Sequence, residues 1–156
     1  MSDTVSTGAL TLDFAALSGL EQLRLGLEGR VPMAPIARTV GFELVEIEEG
    51  RVVFDGLPTK AVYNPLGTVH GGWMATLLDS ACGCAVHTML KPGWNYTTLE
   101  LKTVFHKALK ADVPVRAVGT IVQMGRRAAF SQAELRGMDG TLFATATSTC
   151  LVIAPV

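Results

Sequence analysis

"NPLGTVHGGWMATLLD", residues 64–79, passes from a loop pattern into a long helix pattern around which the rest of the chain can be arranged. Asn64 and Gly67 are turn formers, and an apolar run begins after His70. The quoted stretch ends on a carboxylate, Asp79, whose apolar neighbours give it no polar helix face. Because an ionised carboxylate in a dry interior costs several kcal/mol unless it is paired, Asp79 is a candidate functional residue.

Length and composition indicate one domain that associates with other copies of itself. The chain has 156 residues, 49% of them hydrophobic and 17% charged, which makes it more apolar than a typical soluble monomer. We therefore expect a homo-oligomer. The net charge of −1 and the lack of a basic aromatic stripe argue against nucleic acid as a partner.

Two features bear on the location of the protein in the cell. The N-terminal residues, "MSDTVSTGALTLD", lack the positive segment and apolar core of a signal peptide, so we expect a cytoplasmic protein. The longest apolar run, Trp73–Leu90, approaches the ~20 residues that cross a bilayer, but it contains Asp79 and His87. The run therefore predicts a buried helix and no membrane partner.

The cysteines do not suggest a disulfide framework or a metal site. Cys82, Cys84 and Cys150 are odd in number, and two of them lie in the apolar run, where thiols act as small hydrophobic groups. His87 is close to the first two in sequence, but no second group of ligands follows at a recognised spacing. A buried structural role is favoured, and no metal is expected.

Local signals predict the elements before the central helix. Residues 1 to about 12 are small and polar without a period, which is typical of an irregular tail. Ser18 and Glu21 form a capping-box pattern that predicts a short amphipathic helix. Pro32 and Pro35 predict a break that leads into an extended segment.

The remaining residues carry strand patterns. A hairpin is predicted within residues 42–57, with its turn at Glu49-Gly50. Leu99, Leu101 and Thr103 are expected on one face of the strand that follows the central helix. The strand patterns after that helix cover residues 97–107, 113–124, 128–138 and 141–154. A helix that is apolar all round needs cover on every side, so we predict an α+β fold with a curved antiparallel sheet wrapped around one long central helix.

The start of the central helix could hold a developing oxyanion. The first N–H groups of a helix have no intrahelical partner and lie at the positive end of its dipole. Gly71 lacks side-chain bulk that would keep a carbonyl away, although a Gly-Gly pair also suits close packing of helix on sheet. His70 could donate a hydrogen bond to a carbonyl or simply end the loop, and Asn64 could orient a substrate or form a turn.

Asp79 admits either a functional or a structural explanation. Its carboxylate could be catalytic, could be bonded by the hydroxyl of Ser80 or Thr76, or could face a subunit interface. Eight residues separate it from Gly71, which is about 12 Å along a helix axis, so one chain cannot easily bring both to one carbon. If both act, a two-fold dimer is the expected solution.

The spacing of Asn64, His70, Gly71 and Asp79 resembles that of the hotdog-fold acyl-CoA thioesterases. The similarity is to the phenylacetyl-CoA thioesterase-like branch of the 4-hydroxybenzoyl-CoA thioesterase superfamily, and it extends over roughly residues 34–154. "TTLELK" and "GRR" also resemble later motifs of that family. The resemblance implies a hotdog domain at residues 34–156, preceded at residues 1–33 by the tail and short helix.

What the resemblance implies about assembly is a pair of units joined into one continuous sheet, often as a homotetramer built from two dimers. For the chemistry it implies that the Gly71 N–H polarises a thioester carbonyl, with Asn64 and His70 in support. Asp79 of the partner subunit would act as nucleophile or as the base that activates water. Thr98 would assist, with Thr97 as the alternative.

The same resemblance implies an acyl-CoA substrate and no separate cofactor, since coenzyme A is part of the substrate. Arg126 and Arg127 are candidates for its phosphates, because guanidinium groups match phosphate oxygens in pairs. The bulk of Trp73 and Trp94 leaves the size of the acyl pocket open, and with it the choice between aryl and aliphatic substrates.

Two other functions are compatible with a hotdog fold. A hydratase or dehydratase would need a catalytic histidine paired with an acid on a different element, and no such pair is evident. A non-catalytic acyl-CoA-binding module would keep fold and ligand without turnover. Binding alone does not explain the free-energy cost of burying Asp79, which favours the thioesterase.

Overall fold

The computed structural model describes residues 4–7 and 10–155. In chain order, these residues form β1 (Thr4–Thr7), β2 (Leu10–Asp13), α1 (Gly19–Leu27), α2 (Pro35–Val40), β3 (Phe42–Glu48), β4 (Arg51–Gly56), α3 (Gly71–His87), β5 (Asn95–Phe105), β6 (Val115–Met124), β7 (Ala128–Gly137) and β8 (Leu142–Ile153).

One antiparallel sheet of six strands, in the order β3-β4-β6-β7-β8-β5, wraps around α3. β3 and β5 are its two edges. The predicted α+β hotdog architecture, with one long central helix, is confirmed, as are the hairpin between β3 and β4 and the four strand regions after the helix.

Most of helix α3 is buried because apolar residues occur on most of its sides. Its buried residues are Trp73, Met74, Leu77, Leu78, Ala81, Cys82, Gly83, Ala85 and Val86. The helix approaches the sheet closely at Gly119 of β6, where an added Cβ would lie 2.1 Å from the carbonyl oxygen of Ala81. Since nothing larger than hydrogen fits there, Gly119 fixes the depth at which the helix lies in the sheet.

The predicted capping box begins α1. The Glu21 N–H donates to the Ser18 hydroxyl at 3.3 Å, and the Ser18 N–H donates to the Glu21 carboxylate at 2.8 Å. The same end of α1 docks on the C-terminal end of α3, where the Gly19 N–H donates to the Leu90 carbonyl at 3.0 Å. This bond satisfies a carbonyl near a helix end, so α1 completes α3 rather than forming a separate unit.

Two local predictions differ from the structure near the N-terminus. The extended segment predicted after Pro32 and Pro35 is wrong, because Pro35 begins α2, and the fixed φ of proline suits the first position of a helix. An irregular tail is predicted for residues 1 to about 12. Instead, Thr4–Thr7 pairs with Leu10–Asp13, while residues 1–3 and 8–9 lie outside the described residues.

A β-bulge overturns the predicted inner face of β5. The register with β8 shifts between Thr98 and Glu100, so Leu99 points outward and is 63% exposed. Leu101 and Thr103 do face the helix side, and Thr98 takes the place expected for Leu99. Strict alternation assigned Leu99 to the inner face, and an extra residue in the strand breaks that alternation.

In the part of the chain that the structure describes, no helix has both the length and the apolar character that a bilayer crossing requires.

We predict that Gly119→Ala destabilises the fold by about 3 kcal/mol, because the new methyl group must push the backbone of α3 away from the sheet. Urea unfolding of both proteins measures the change. Thr120→Ala, at the next position of the same strand, is the control and should cost less than about 1 kcal/mol. Equal midpoints for wild type and Gly119→Ala would show that the helix has room to shift.

Candidate active site

The start of α3 presents two N–H donors and one imidazole. His70 is the N-cap, and its Nδ1 accepts from the Gly72 N–H at 2.8 Å. In the neutral ring this bond places the proton on Nε2, which can then donate outward. Within the described residues the Gly71 N–H meets no acceptor, so the positive end of a 17-residue helix has a free donor.

A hollow of about 320 Å³ lies at this end of the helix, and Asn64, Gly71, Met74 and Phe105 are among the residues that line it. A Cβ on Gly71 would lie 3.0 Å from the Phe105 ring. The missing side chain therefore keeps open a narrow space between the aromatic ring and the helix N–H. A carbonyl oxygen could enter this space and accept from Gly71.

The Asn64 side chain holds the loop before the helix. Its Nδ2 donates to the Thr68 hydroxyl at 2.9 Å, and its Oδ1 accepts from the N–H groups of Leu66 and Thr68 at 3.0 and 3.3 Å. These bonds are those of a turn residue. Asn64 also lines the hollow. Its second Nδ2 proton is not used in these bonds, so it is available as a hydrogen-bond donor there.

Asp79 lies two turns along α3 and is only partly covered. Thr98 donates its hydroxyl to Asp79 Oδ1 at 3.2 Å, whereas Thr76 donates instead to the Gly72 carbonyl. Burial raises the pKa of Asp79 above its ordinary value, and the bond from Thr98 opposes part of that rise. The carboxylate is thus desolvated yet held by a single hydroxyl, a state that favours reaction with a proton or a carbon.

The bulge in β5 is what brings Thr98 to Asp79. Thr98 faces the helix and Thr97 is exposed on the other side of the strand. Of the two hydroxyls considered from the sequence, the one from Thr98 therefore reaches the carboxylate.

The cysteine nearest to Asp79 along the helix is not set up as a nucleophile. Burial raises the pKa of the Cys82 thiol to about 12, so it is neutral near pH 7. Cys84 and Cys150 are free thiols as well. Among the described residues, no three side chains of His, Cys, Asp or Glu are placed to hold a metal ion.

The predicted site residues form three separate groups in one chain. Asn64 and Gly71 line one hollow at the start of α3, where His70 is the N-cap, and Asp79 meets Thr98 about 12 Å further along the axis. Arg126 and Arg127 lie on the turn between β6 and β7, and Arg126 lines a hollow with residues that follow the end of α3. One chain does not bring the three groups together.

Two aromatic residues have places that the sequence did not reveal. Phe105 lies over Gly71, although continuing the face of Leu101 and Thr103 by two residues would have pointed to it. Trp73 is directed into the core, where its indole N–H donates to the Val40 carbonyl at 2.8 Å. Its bulk therefore does not fill the hollow beside Gly71.

Comparison with known proteins identifies the family. The model of the thioesterase superfamily matches residues 66–144, just over half of the chain, from the turn before α3 into β8. The chain belongs to the thioesterase superfamily and is a thioester hydrolase.

Individual relatives agree with this assignment. A phenylacetic acid degradation-related protein from Ralstonia eutropha JMP134 is 31% identical, with a TM-score of 0.76 over 82% of this chain and 97% of that one. A hypothetical thioesterase protein with coenzyme A from Streptococcus pneumoniae TIGR4 is 26% identical, with a TM-score of 0.68 over 74% of this chain and 88% of that one. A 1,4-dihydroxy-2-naphthoyl-CoA hydrolase from Listeria monocytogenes is 28% identical over 91 residues, 58% of this chain and 73% of the relative.

Replacing Asp79 by Asn should change stability in a pH-dependent way. The pKa of Asp79 is higher in the folded chain, so the unfolded chain loses its proton first as pH rises from about 4. Above that pH the folded state holds more protons than the unfolded state, and wild type loses stability relative to Asp79→Asn, which carries no charge. We expect similar melting temperatures near pH 4 and a higher one for the variant at pH 8.

Differential scanning calorimetry across this pH range is the measurement. Glu43→Gln removes an exposed carboxylate and should leave the melting temperature within about 2 °C at both ends. An Asp79→Asn protein that is less stable than wild type at pH 8 would mean that the ionised carboxylate is stabilised by groups beyond Thr98.

Proposed function

We propose that the protein is an acyl-CoA thioesterase that hydrolyses an aryl- or fatty-acyl-CoA to the free acid and coenzyme A. The observation that carries this proposal is the partly buried Asp79, which an otherwise apolar helix tolerates and Thr98 orients. The Listeria relative is a CoA hydrolase by name, and the Streptococcus relative has coenzyme A in its crystal structure. Both support a CoA thioester as the substrate.

The Gly71 end of the site would polarise the thioester. A carbonyl oxygen placed between Phe105 and the helix start accepts from the Gly71 N–H, and the N–H gains strength from the positive end of the helix dipole. The free Nδ2 proton of Asn64, which lines the same hollow, is a further donor, and Nε2–H of the exposed N-cap His70 would be another. Together they favour the transition state, in which the oxygen carries more negative charge than in the substrate.

Asp79 would supply the attack on the opposite side of the carbonyl carbon. Acting as a base, its carboxylate takes a proton from water while the water oxygen bonds to carbon. Acting as a nucleophile, it forms an anhydride that water then opens. On either route the C–S bond breaks, the thiol leaves with a proton, and one water is consumed per acid released.

The position of edge strand β5 supports a site that two chains would complete. Its Phe105 end lies at Gly71 and its Thr98 end at Asp79, and one of its sides is unpaired within the described sheet. Antiparallel pairing of β5 with its own copy brings the Thr98 end of one chain beside the Phe105 end of the other. The Gly71 N–H then faces the partner's Asp79.

In the proposed dimer, the pleat and the bulge of β5 limit where the two-fold axis would pass between the two copies of this strand. Residues that pair across antiparallel strands share a face, so one residue would pair with its own copy and the axis would pass between these two copies. Leaving out the bulged Leu99, Phe105 and Thr98 are six pairing positions apart. The axis therefore falls three positions from each, at Lys102.

Part of α3 also supports burial against a second chain. Its own sheet leaves a strip of small and polar side chains only partly covered, and Asp79 lies within that strip: Ala75, Thr76, Asp79, Ser80, Cys84 and His87. A second copy would cover this strip, and assembly of two such dimers would give the homotetramer that the family resemblance implies.

Turnover should depend on Asp79 and Thr98. We expect Asp79→Asn to lower kcat by 10³-fold or more, because the reaction loses its base or nucleophile, and Thr98→Val to lower it about tenfold. Thiol release is followed with a disulfide reagent on a panel of aryl-CoA and short-, medium- and long-chain acyl-CoA esters. Thr97→Val, which removes an exposed hydroxyl at the neighbouring position, is the matched control and should turn over like wild type.

The same panel identifies the acyl class. Undiminished turnover by Asp79→Asn would contradict the mechanism, and binding of every ester without turnover by wild type would favour the acyl-CoA-binding module.

A cysteine at position 102 should cross-link two chains. Directly paired residues have Cα atoms about 4.5–5.5 Å apart, which is within disulfide range. Val104→Cys is the control, because its two copies would be about 14 Å apart. Non-reducing gel electrophoresis after mild oxidation should show a covalent dimer for Lys102→Cys and none for Val104→Cys. Equal cross-linking of both variants, or of neither, would reject this register.

A further inference from the structure

The β-bulge in β5 opposes the ordinary preference for burying apolar side chains. With the extra residue at position 99, Leu99 is 63% exposed and Thr98 faces the helix. If the extra residue were at position 98 instead, Leu99 would pair with Cys150 on the inner face and Thr98 would point outward. That arrangement would bury more apolar surface but would take the Thr98 hydroxyl away from Asp79. The observed bulge therefore needs a further interaction that favours it.

Ser148 of β8 provides such an interaction. Its buried hydroxyl donates to the Glu100 carbonyl at 3.0 Å, immediately after the extra residue. In a regular strand this carbonyl would lie near the plane of the sheet, where backbone N–H groups are its partners, whereas the Ser148 side chain stands on the inner face. The bond therefore requires that the bulge turns the Glu100 carbonyl inward, and it stabilises the bulge relative to a regular strand.

The same serine also contacts the residue opposite Thr98. The Ser148 oxygen lies 3.8 Å from the Cys150 sulfur, and Cys150 is the direct pairing partner of Thr98 across the two strands. Since the single proton of the serine hydroxyl is used on the Glu100 carbonyl, the thiol is the donor in this contact. Ser148 thus links the bulge to the position at which Thr98 is paired.

A neighbouring serine shows that burial alone does not give these contacts. Ser131 of β7 pairs directly with Ser148 and is similarly buried. Its hydroxyl meets no hydrogen-bond partner among the described residues. The two serines therefore differ in their bonds more than in their surroundings, which makes Ser131 a matched comparison for Ser148.

We propose that Ser148 is a positioning residue of the active site, because its hydroxyl holds the bulge that directs Thr98 to Asp79. Ser148 does not contact the reacting atoms and acts only through Thr98. The inference rests on the proposed part of Asp79 in thioester hydrolysis, and it extends that function by assigning to the same site a residue of the sheet interior.

Loss of the Ser148 bond should change the titration of Asp79. Donation from the Thr98 hydroxyl lowers the pKa of Asp79 and opposes the larger effect of burial, so a residue that holds Thr98 in place lowers this pKa as well. Within the described residues, the other titratable groups that face this carboxylate are the thiols of Cys82, Cys84 and Cys150 and the hydroxyl of Tyr96. Burial raises the pKa of each of them, so they stay neutral while Asp79 titrates.

The first experiment is a double-mutant cycle on the acyl-CoA ester that wild type hydrolyses fastest. Ser148→Ala should lower kcat about fivefold, somewhat less than Thr98→Val, because loss of a positioning residue costs no more than loss of the group it positions. The double variant should lose about tenfold, like Thr98→Val alone, whereas independent effects would multiply to roughly 50-fold. Ser131→Ala is the control and should turn over like wild type. Multiplied losses in the double variant, or equal losses in Ser131→Ala and Ser148→Ala, would overturn the inference.

A second measurement is independent of turnover. NMR of the aspartate carboxyl carbons follows the titration of Asp79, whose signal is identified by its absence from Asp79→Asn. Ser148→Ala should raise the pKa of Asp79 relative to wild type, as Thr98→Val should, and Ser131→Ala should leave it unchanged. Ser148→Cys keeps the size of the side chain but donates only weakly, so it should shift the pKa in the same direction.

The two measurements separate this inference from the proposed function. An Asp79 pKa that is the same in wild type, Ser148→Ala and Ser148→Cys would overturn the inference. If the pKa rises in both variants but wild type hydrolyses no ester, Ser148 still positions Thr98, and only the thioesterase proposal is rejected.

Discussion

The contact between Gly119 and Ala81 sets the positions of the other parts of the structure. At this point the backbone of α3 touches the backbone of β6, so the helix cannot lie any closer to the sheet without a clash. The same contact also fixes the positions of the residues next to Ala81 in the helix. Asp79 is held on the partly covered side of α3, where its carboxylate accepts from the Thr98 hydroxyl. Gly119 of β6 contacts Ala81, which is two residues after Asp79 in α3. This contact therefore helps to determine how exposed the Asp79 carboxylate is to water.

Burial of Asp79 lowers the stability of the folded chain but increases the reactivity of its carboxylate. Burial raises the pKa of the carboxyl group and so makes its ionised form unfavourable in the folded chain. The same loss of water makes the carboxylate more reactive towards a proton or an electrophilic carbon. A single hydrogen bond from Thr98 orients the group without quenching that reactivity, as several donors would.

The features that could be predicted from the sequence are those that depend on patterns of neighbouring residues. The capping box at Ser18, the start of α3 at His70 and the turn at Gly50 each depend on residues that are close in the chain, and all three occur in the structure. The bulge at Leu99 was missed because it arises from the register with β8, in which Thr98 pairs with Cys150, about one third of the chain length away. For the site, spacing identified which side chains to examine, but the meeting of Thr98 with Asp79 and of Phe105 with Gly71 depends on how β5 crosses the helix.

The bulge has a consequence for how this strand can change during evolution. Because Leu99 and Glu100 both point outward, removal of Leu99 would leave a regular strand in which Thr98 and Leu101 still face the helix. The strand can therefore gain or lose one residue at this point without turning Thr98 away from Asp79. In an alignment of relatives, a single gap is expected at position 99, because a gap placed one or two residues earlier would align the residue that contacts Asp79 with Leu99.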